Sequence, residues 1–263
     1  MKITFLGTGT SCGVPMIGCH CRVCTSTDPR DSRLRTSALF EEGGKRILLD
    51  CGPDFREQML RIGMEGMLDA VFITHEHYDH VGGIDDLRPF SYLRSLTLYA
   101  DAYSCRHLRE RLPYCLVDHH YPGIPRLELQ EIAGGDRVMV GQVPVTALQV
   151  MHGRLPILGY RIGDVAYLTD VTEVPEETLP LLDGVSMLIV NGLKHSFHPT
   201  HQTVEDAISF SRSLGRDIPT YIIHMSHEVG LHAEEDAKLP PDVHLAYDGL
   251  TVECSMKKTW GHP

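Results

Sequence analysis

The chain contains 263 residues, of which 42% are hydrophobic and 22% are charged, and its formal net charge is −11. This composition is typical of a globular protein. The acidic excess argues against a nucleic-acid substrate, because phosphate backbones are held mainly by clustered Lys and Arg. No apolar run approaches the ~20 residues that span a bilayer, and residues 1–7 lack the long apolar segment of a signal peptide. We therefore expect a cytoplasmic protein without a membrane partner.

Short β-rich runs alternate with amphipathic segments along the chain. The predicted strands are Lys2–Leu6, Ser37–Glu41, Arg46–Asp50, Ala70–Thr74, Thr97–Ala100, Val143–Val150, Gly159–Ile162, Val165–Thr169, Ser186–Val190, Thr220–His224 and Leu245–Cys254. The predicted helices are Asp54–Ile62, Asp101–Arg111, Pro175–Leu182 and Thr203–Leu214. Many strands with fewer helices indicate an α/β (α+β) fold of two packed sheets with helices outside them. Because no linker divides the chain, we predict a single domain over residues 1–263.

A histidine-rich motif follows the predicted strand Ala70–Thr74. It reads His75-Glu76-His77-Tyr78-Asp79-His80, so that three histidines and an aspartate lie within six residues. Residues 75, 77 and 79 share one side if the strand conformation persists, and His80 joins them if a helix begins there. Imidazole and carboxylate together suit zinc, manganese or iron. The motif therefore predicts a metal site at the end of this strand.

Three further ligand-type residues lie at predicted strand ends elsewhere in the chain. His152 and Asp170 come directly after apolar β-rich runs, and His224 ends another. Each would project from the same edge of the fold. Two ions need roughly four to six donor atoms each, more than the motif supplies. These three residues are therefore candidates for the rest of a two-metal centre.

The order of these residues, with Asp50 before them, resembles the motif signature of the metallo-β-lactamase superfamily. The resemblance covers nearly the whole chain and implies an αββα sandwich with two catalytic divalent ions, zinc or manganese, at one edge. It implies a first ion held by His75, His77 and His152. It implies a second ion held by Asp79, His80 and His224, with Asp170 bridging the two. Asp79 would also serve the chemistry, and Asp50 would orient a ligand or the bridging water.

A cysteine cluster lies near the start of the chain, where three of the eight cysteines occur in Cys19-His20-Cys21-Arg22-Val23-Cys24. In a cytosolic chain such a cluster indicates metal binding rather than disulfides. A tetrahedral structural zinc needs a fourth ligand. The candidates are His227, His20 and Cys12. We favour His227, because His20 lies between two ligands and could not easily close a tetrahedron with both.

The pairing of Gly-Cys-x-Cys-x-x-Cys with a later His-x-x-His is similar to the PhnP-type phosphodiesterases of phosphonate breakdown. This resemblance implies one structural zinc on Cys19, Cys21, Cys24 and His227. The zinc would hold the loop near residues 8–26 against the strand that carries His224. The resemblance also implies a cyclic ribose phosphate as substrate.

The predicted activity is that of a metal-dependent phosphodiesterase acting on a small molecule. Two ions would lower the pKa of a bridging water, so that hydroxide can attack phosphorus. A leaving alkoxide needs a proton or a metal, and we predict that His201 donates a proton. In PhnP-type enzymes and in tRNase Z, which the chain resembles, a histidine at the corresponding place is thought to act on the leaving group or the phosphate. His195 and His198 in the same loop are rivals for this role.

Three alternatives compete with this interpretation. A tRNase Z-like endoribonuclease shares the metal motifs but usually carries a long basic arm rich in Gly and Pro, which the sequence lacks. A glyoxalase II-like thioester hydrolase shares the histidine motif but would not explain the cysteine cluster. A non-enzymatic binding module would be expected to lack some of the ligands. The sequence leaves the oligomeric state open between a monomer and a homodimer.

Overall fold

The computed structural model describes residues 1–116, 123–215 and 217–255. The strands of the described residues are β1 (Lys2–Gly7), β2 (Ser37–Glu42), β3 (Lys45–Leu49), β4 (Ala70–Phe72), β5 (Leu96–Ala100), β6 (Leu127–Glu131), β7 (Arg137–Val140), β8 (Val143–His152), β9 (Leu155–Ile162), β10 (Val165–Leu168), β11 (Met187–Asn191), β12 (Thr220–Ile223), β13 (Val243–Leu245) and β14 (Thr251–Glu253). Their α-helices are α1 (Phe55–Arg61), α2 (Tyr78–Val81), α3 (Ala102–Arg111), α4 (Val204–Ser213) and α5 (His232–Asp236).

Within the described parts of the chain, the strands form two mixed sheets of seven. The first has the order β14-β1-β2-β3-β4-β5-β6, and the second has the order β13-β12-β11-β10-β9-β8-β7. In the first sheet, β3 to β6 are parallel. In the second sheet, β10 to β13 are parallel. The carboxyl ends of these parallel strands carry most of the loops that build the site described below.

Aromatic side chains fill the space between the two sheets. Phe5, Phe40 and Phe72 from the first sheet share one apolar cluster with Tyr160 and Tyr167 from the second. All five are at most 1% exposed. The rings of Phe72 and Tyr160 meet edge to face at 5.2 Å between centroids, a favoured aromatic geometry. The sheets therefore pack face to face around one core.

Helices cover the outer faces of both sheets. Phe55 of α1 and Leu108 of α3 pack in an apolar cluster with strands of the first sheet. Ala207 of α4 packs with strands of the second sheet. Because both faces of the sheets are covered, a strand such as β11 is buried at every position and is apolar almost throughout. The predicted αββα sandwich of two packed sheets is confirmed.

Several predicted elements differ from the structure. The single strand Leu245–Cys254 is wrong, because the chain turns at Gly249, which has a φ of +87°, and β13 and β14 join different sheets. The predicted helix Pro175–Leu182 is only a short 3₁₀ segment, Leu179–Leu182. The sequence patterns do not predict the edge strands β6 and β7 or the short helix α5.

Each helix in the described part of the chain is too short or too polar to reach across a lipid bilayer.

Candidate metal centre

Three residues of the site adopt a strained backbone immediately beyond a strand. Asp50, Asp170 and His224 have φ values of 58°, 59° and 54°. They follow β3, β10 and β12 within two residues, so the predicted strands that included Asp50 and His224 end one residue too late. Non-glycine residues rarely adopt this left-handed conformation, which costs about 1–3 kcal/mol and clusters at functional sites. These sharp turns direct the three side chains into a common space.

One cluster consists of His75, His77 and His152, whose donor atoms lie within 4.8 Å of one another. His75 follows β4, His77 precedes α2, and His152 ends β8. The Nε2 atom of His75 lies 3.0 Å from Nδ1 of His77. Burial lowers the pKa of His75 well below its usual value. The ring is therefore neutral, which is the form that binds a metal.

A second cluster consists of Asp79, His80, Asp170 and His224, with donor atoms again within 4.8 Å of one another. Oδ1 of Asp170 lies 3.0 Å from Nδ1 of His224. Its other oxygen, Oδ2, lies 3.9 Å from Nε2 of His75 in the first cluster. Asp170 thus lies between the two clusters, where a carboxylate could serve both.

The electrostatics of the second cluster suit a cation. Burial alone would lower the pKa of His80, but the carboxylates of Asp170, Asp79 and Asp50 raise it well above its usual value. The same negative potential favours a divalent ion. Moreover, Nε2 of His80 is buried and makes no hydrogen bond of good geometry among the described residues, although a carboxylate oxygen of Asp79 lies 3.2 Å away. A buried polar nitrogen is costly when its hydrogen bond is not made, and coordination of an ion would satisfy it.

Asp50 holds the ring of His80 from the opposite side. Its Oδ2 lies 2.7 Å from Nδ1 of His80. The backbone N–H and the hydroxyl of Thr74 donate to Oδ1 of Asp50 at 2.8 and 3.0 Å. Such a partner fixes the orientation of a ligating imidazole and its tautomer. Asp50 therefore lies where a residue that orients a ligand would lie.

The cysteine cluster and His227 meet although more than 200 residues separate them in sequence. The donor atoms of Cys19, Cys21, Cys24 and His227 lie within 4.8 Å of one another. His227 Nδ1 lies 3.4 and 3.2 Å from the sulfurs of Cys19 and Cys21. Its hydrogen bond lowers the pKa of Cys21 to about 6, which favours the thiolate that binds metal.

This donor set of three sulfurs and one nitrogen fits tetrahedral zinc. The rival ligands His20 and Cys12 do not belong to the group of four.

The three histidines proposed as proton donors have different surroundings. His201 Nε2 lies 3.1 Å from Oδ2 of Asp170, and its ring stacks on His224 at 5.0 Å. His195 instead faces Glu205, at 2.7 Å from Nδ1, and the carbonyl of Val229. His198 contacts His201 rather than the metal cluster. Among these three, His201 alone touches a residue of the two clusters.

The sequence patterns did not reveal that His201 also groups with His152 and Asp170 as a possible third donor set. His152 ends β8, Asp170 follows β10 and His201 precedes α4, so their spacing in sequence carries no signal of the contact.

Comparison with known proteins places the chain in a family. Residues 45–225 match the model of the β-lactamase superfamily domain. A protein of known structure, described as a new diphosphatase from the PhnP family, is 38% identical, with a TM-score of 0.88 over 95% of this chain and 96% of that one. The Zn²⁺-bound PqqB of Methylobacterium extorquens has a TM-score of 0.76 at 20% identity over 97% of this chain and all of that one, which shows a shared fold.

Two curated relatives are longer than the chain. An octanoyltransferase of Porphyromonas gingivalis is 47% identical over 98% of this chain, which spans 52% of that protein. A ribonuclease Z of Thermosynechococcus vestitus is 30% identical over 62% of this chain and 37% of that protein. The chain thus spans about half or less of the curated relatives it matches. The family match and the PhnP-family neighbour together lead to one assignment: the chain belongs to the metallo-β-lactamase superfamily and to its PhnP family.

Proposed function

We propose that this protein is a metal-dependent hydrolase that cleaves a small phosphodiester, with a cyclic ribose phosphate as the first candidate. Its proposed cofactors are two catalytic divalent ions, zinc or manganese. The observation that carries the proposal is the position of Asp170, whose two oxygens face His224 in one cluster and His75 in the other. Ions bound in the two clusters would supply a hydroxide nucleophile near neutral pH and neutralise charge on the phosphoryl oxygens.

The residues have separate roles in this proposal. His75, His77 and His152 would hold one ion, and Asp79, His80 and His224 would hold the other, with Asp170 between the two clusters. Asp50 keeps the ring of His80 in place. His201 gives a proton to the leaving oxygen, because it lies beside Asp170 and has a side chain 12% exposed, at the border between the buried clusters and solvent.

The cysteine cluster has a structural role in the proposal. Cys19, Cys21, Cys24 and His227 would hold one zinc, which would tie the loop near residues 8–26 to the segment after β12. That segment begins with His224, and the hydroxyl of Thr10 in the loop lies 3.1 Å from Nε2 of His224. A zinc bound there would therefore support one wall of the catalytic centre, as preorganised sites require.

A diphosphate is the second candidate substrate, favoured by the 38% identical neighbour described as a diphosphatase. Both reactions place a nucleophile on phosphorus, and they differ in the leaving group. A departing phosphate needs less help from an acid than a departing alkoxide. Loss of His201 should therefore slow the cleavage of a phosphodiester with an alkoxide leaving group more than the cleavage of a diphosphate, and this difference distinguishes the two candidates.

A substrate panel tests the proposal. It contains bis(p-nitrophenyl) phosphate, a cyclic ribose phosphate, a diphosphate diester, a precursor tRNA, an acyl-glutathione and an octanoyl thioester. We expect turnover of the small phosphodiesters by the metal-loaded protein, and loss of that turnover in His77→Ala. Turnover of the diphosphate alone would replace the first candidate by the second. Activity confined to the tRNA or to a thioester would overturn the proposal.

A further inference from the structure

A second histidine contacts His201 on the side away from the metal clusters. Nδ1 of His198 lies 3.1 Å from Nδ1 of His201, and the two ring centroids are 5.0 Å apart. The hydroxyl of Thr200 lies 3.0 Å from Nδ1 of His201 and 3.2 Å from Nδ1 of His198. One short loop segment therefore contacts the whole Nδ1 side of the His201 ring.

The positions of the protons follow from these contacts. Nε2 of His201 lies 3.1 Å from a carboxylate oxygen of Asp170, and an ionised carboxylate only accepts, so Nε2 carries a proton. At the other side, two lone pairs 3.1 Å apart would repel each other, so one of the facing Nδ1 atoms carries a proton. The backbone N–H of Thr200 donates to Nδ1 of His198 at 3.4 Å, so that nitrogen is the acceptor and Nδ1 of His201 carries the proton. His201 then presents its other N–H towards Asp170, and loss of that proton to a leaving oxygen would leave a neutral ring.

The segment that carries His198 is fixed by contacts of its own. The carbonyl of Thr200 accepts hydrogen bonds from Nδ1 of His152 at 2.7 Å and from the hydroxyl of Thr172 at 3.2 Å. Burial and the neighbouring His201 lower the pKa of His198. The ring of His198 is therefore neutral near pH 7 and keeps one nitrogen free to accept. The contacts of Thr200 therefore fix the segment that places His198 against His201.

We propose that His198 is a positioning residue that, through Nδ1, holds His201 with its Nε2–H directed at the reacting centre. The inference rests on the proposed function, in which His201 protonates the leaving oxygen. Loss of His198 would then impair proton transfer while leaving the metal clusters intact. The impairment would grow with the basicity of the leaving group, because p-nitrophenolate departs without a proton whereas an alkoxide does not.

The experiment compares His198→Ala, His198→Asn and the control His195→Ala, whose ring faces Glu205 and Val229 instead. Turnover is measured on bis(p-nitrophenyl) phosphate and on a cyclic ribose phosphate. For His198→Ala we expect kcat on the cyclic ester to fall about 10- to 100-fold, which is less than the loss of a complete general acid. KM for the cyclic ester, and kcat on the aryl ester, should each change less than about twofold. Asparagine should restore most of the loss, since its amide can donate or accept at this position. His195→Ala should match the wild type on both substrates.

Equal losses on both substrates, or an Asn variant as poor as Ala, would overturn the positioning role. His201→Ala separates this outcome from failure of the proposed function. If His201→Ala loses more on the alkyl ester and His198→Ala does not, only the positioning role fails. If His201→Ala slows both substrates equally, the proton-donor role of His201 fails and the inference falls with it. Thermal unfolding of each variant confirms that the comparison is made on folded protein.

Discussion

Nδ1 of His80 lies 2.7 Å from Oδ2 of Asp50, and both side chains are fully buried. The contact orients the opposite nitrogen of His80 towards Asp79 and Asp170. It also gives a reason for the left-handed backbone of Asp50, because that turn brings the carboxylate beneath the ring. The strained backbone of Asp50 therefore serves to position the ring of the proposed ligand His80.

Replacement of Asp50 tests this relationship. Asp50→Ala leaves Nδ1 of His80 and the donors of Thr74 without their acceptor, so the affinity of the second cluster for metal should fall about 10- to 100-fold. Competition with a chromogenic chelator measures the affinity. The exposed Asp86, six residues beyond His80, provides the control Asp86→Ala, which should bind metal as the wild type does. An unchanged affinity in Asp50→Ala would refute the orienting role.

Replacement of His77 tests the first cluster. His77→Ala removes one of three imidazoles that converge within 4.8 Å, and turnover of phosphodiesters should fall by more than about 100-fold, beyond the loss typical of an outer partner. The side chain is partly exposed, so the fold should survive. Steady-state kinetics and thermal unfolding measured together check both statements. A variant that retains activity would remove this cluster from the chemistry.

Replacement of Cys21 tests the structural zinc. Cys21→Ser removes a thiolate that the hydrogen bond from His227 favours. We expect zinc content to fall by about one ion per chain and thermal stability to fall more than kcat, since a structural zinc contributes to folding. Native mass spectrometry counts the ions. Cys12→Ser is the matched control, and a zinc count that falls there but not in Cys21→Ser would assign the site to other ligands.

Asp248 gives the protein a pH dependence that can be isolated. Its carboxylate accepts from the Thr8 hydroxyl at 2.9 Å and from the Leu34 N–H at 2.7 Å, and burial raises its pKa from 3.8 to about 6. Between these values the folded protein keeps a proton that the unfolded chain releases. The resulting stabilisation, roughly 3 kcal/mol, is present below about pH 4 and is lost as the pH rises through about 6.

The side chain introduced by Asp248→Asn cannot ionise, so the variant should lack this pH-dependent part of the unfolding free energy. Urea unfolding of both proteins at about pH 4 and pH 7.5 measures it, and the stability of the wild type relative to the variant should fall over that interval. A difference in unfolding free energy that stays constant with pH would contradict the assignment.

The proposed ligands could be inferred from the sequence because their signals are local. His75 to His80 lie within six residues, and the remote ligands each follow a strand that is apolar enough to recognise. The edge strands β6 and β7 could not be inferred, since each has one neighbouring strand. Both are short and mostly not buried, so neither shows the continuous buried apolar run of a central strand. The turn at Gly249 could not be inferred for a different reason. The sequence is β-rich on both sides of it, so the two strands, which belong to different sheets, look like one continuous strand.

The surroundings of His201 were also beyond the sequence. Its contacts with Asp170 and His198 depend on how the loop before α4 folds back over the end of β10. The backbone N–H of Gln202, for example, donates to the carbonyl of Val171. Such pairing is set by tertiary packing, so three histidines of one loop looked equivalent until the structure separated them.

The most direct test of the two-metal phosphodiesterase is the turnover of bis(p-nitrophenyl) phosphate by chelator-treated protein, measured as zinc or manganese is added back and bound ions are counted. We expect negligible turnover without metal. We expect a rise to a plateau when two ions per chain are bound beyond the structural zinc, with no recovery in His77→Ala. Turnover that persists after the ions of both clusters have been removed, or that recovers equally in His77→Ala, would contradict the two-metal mechanism.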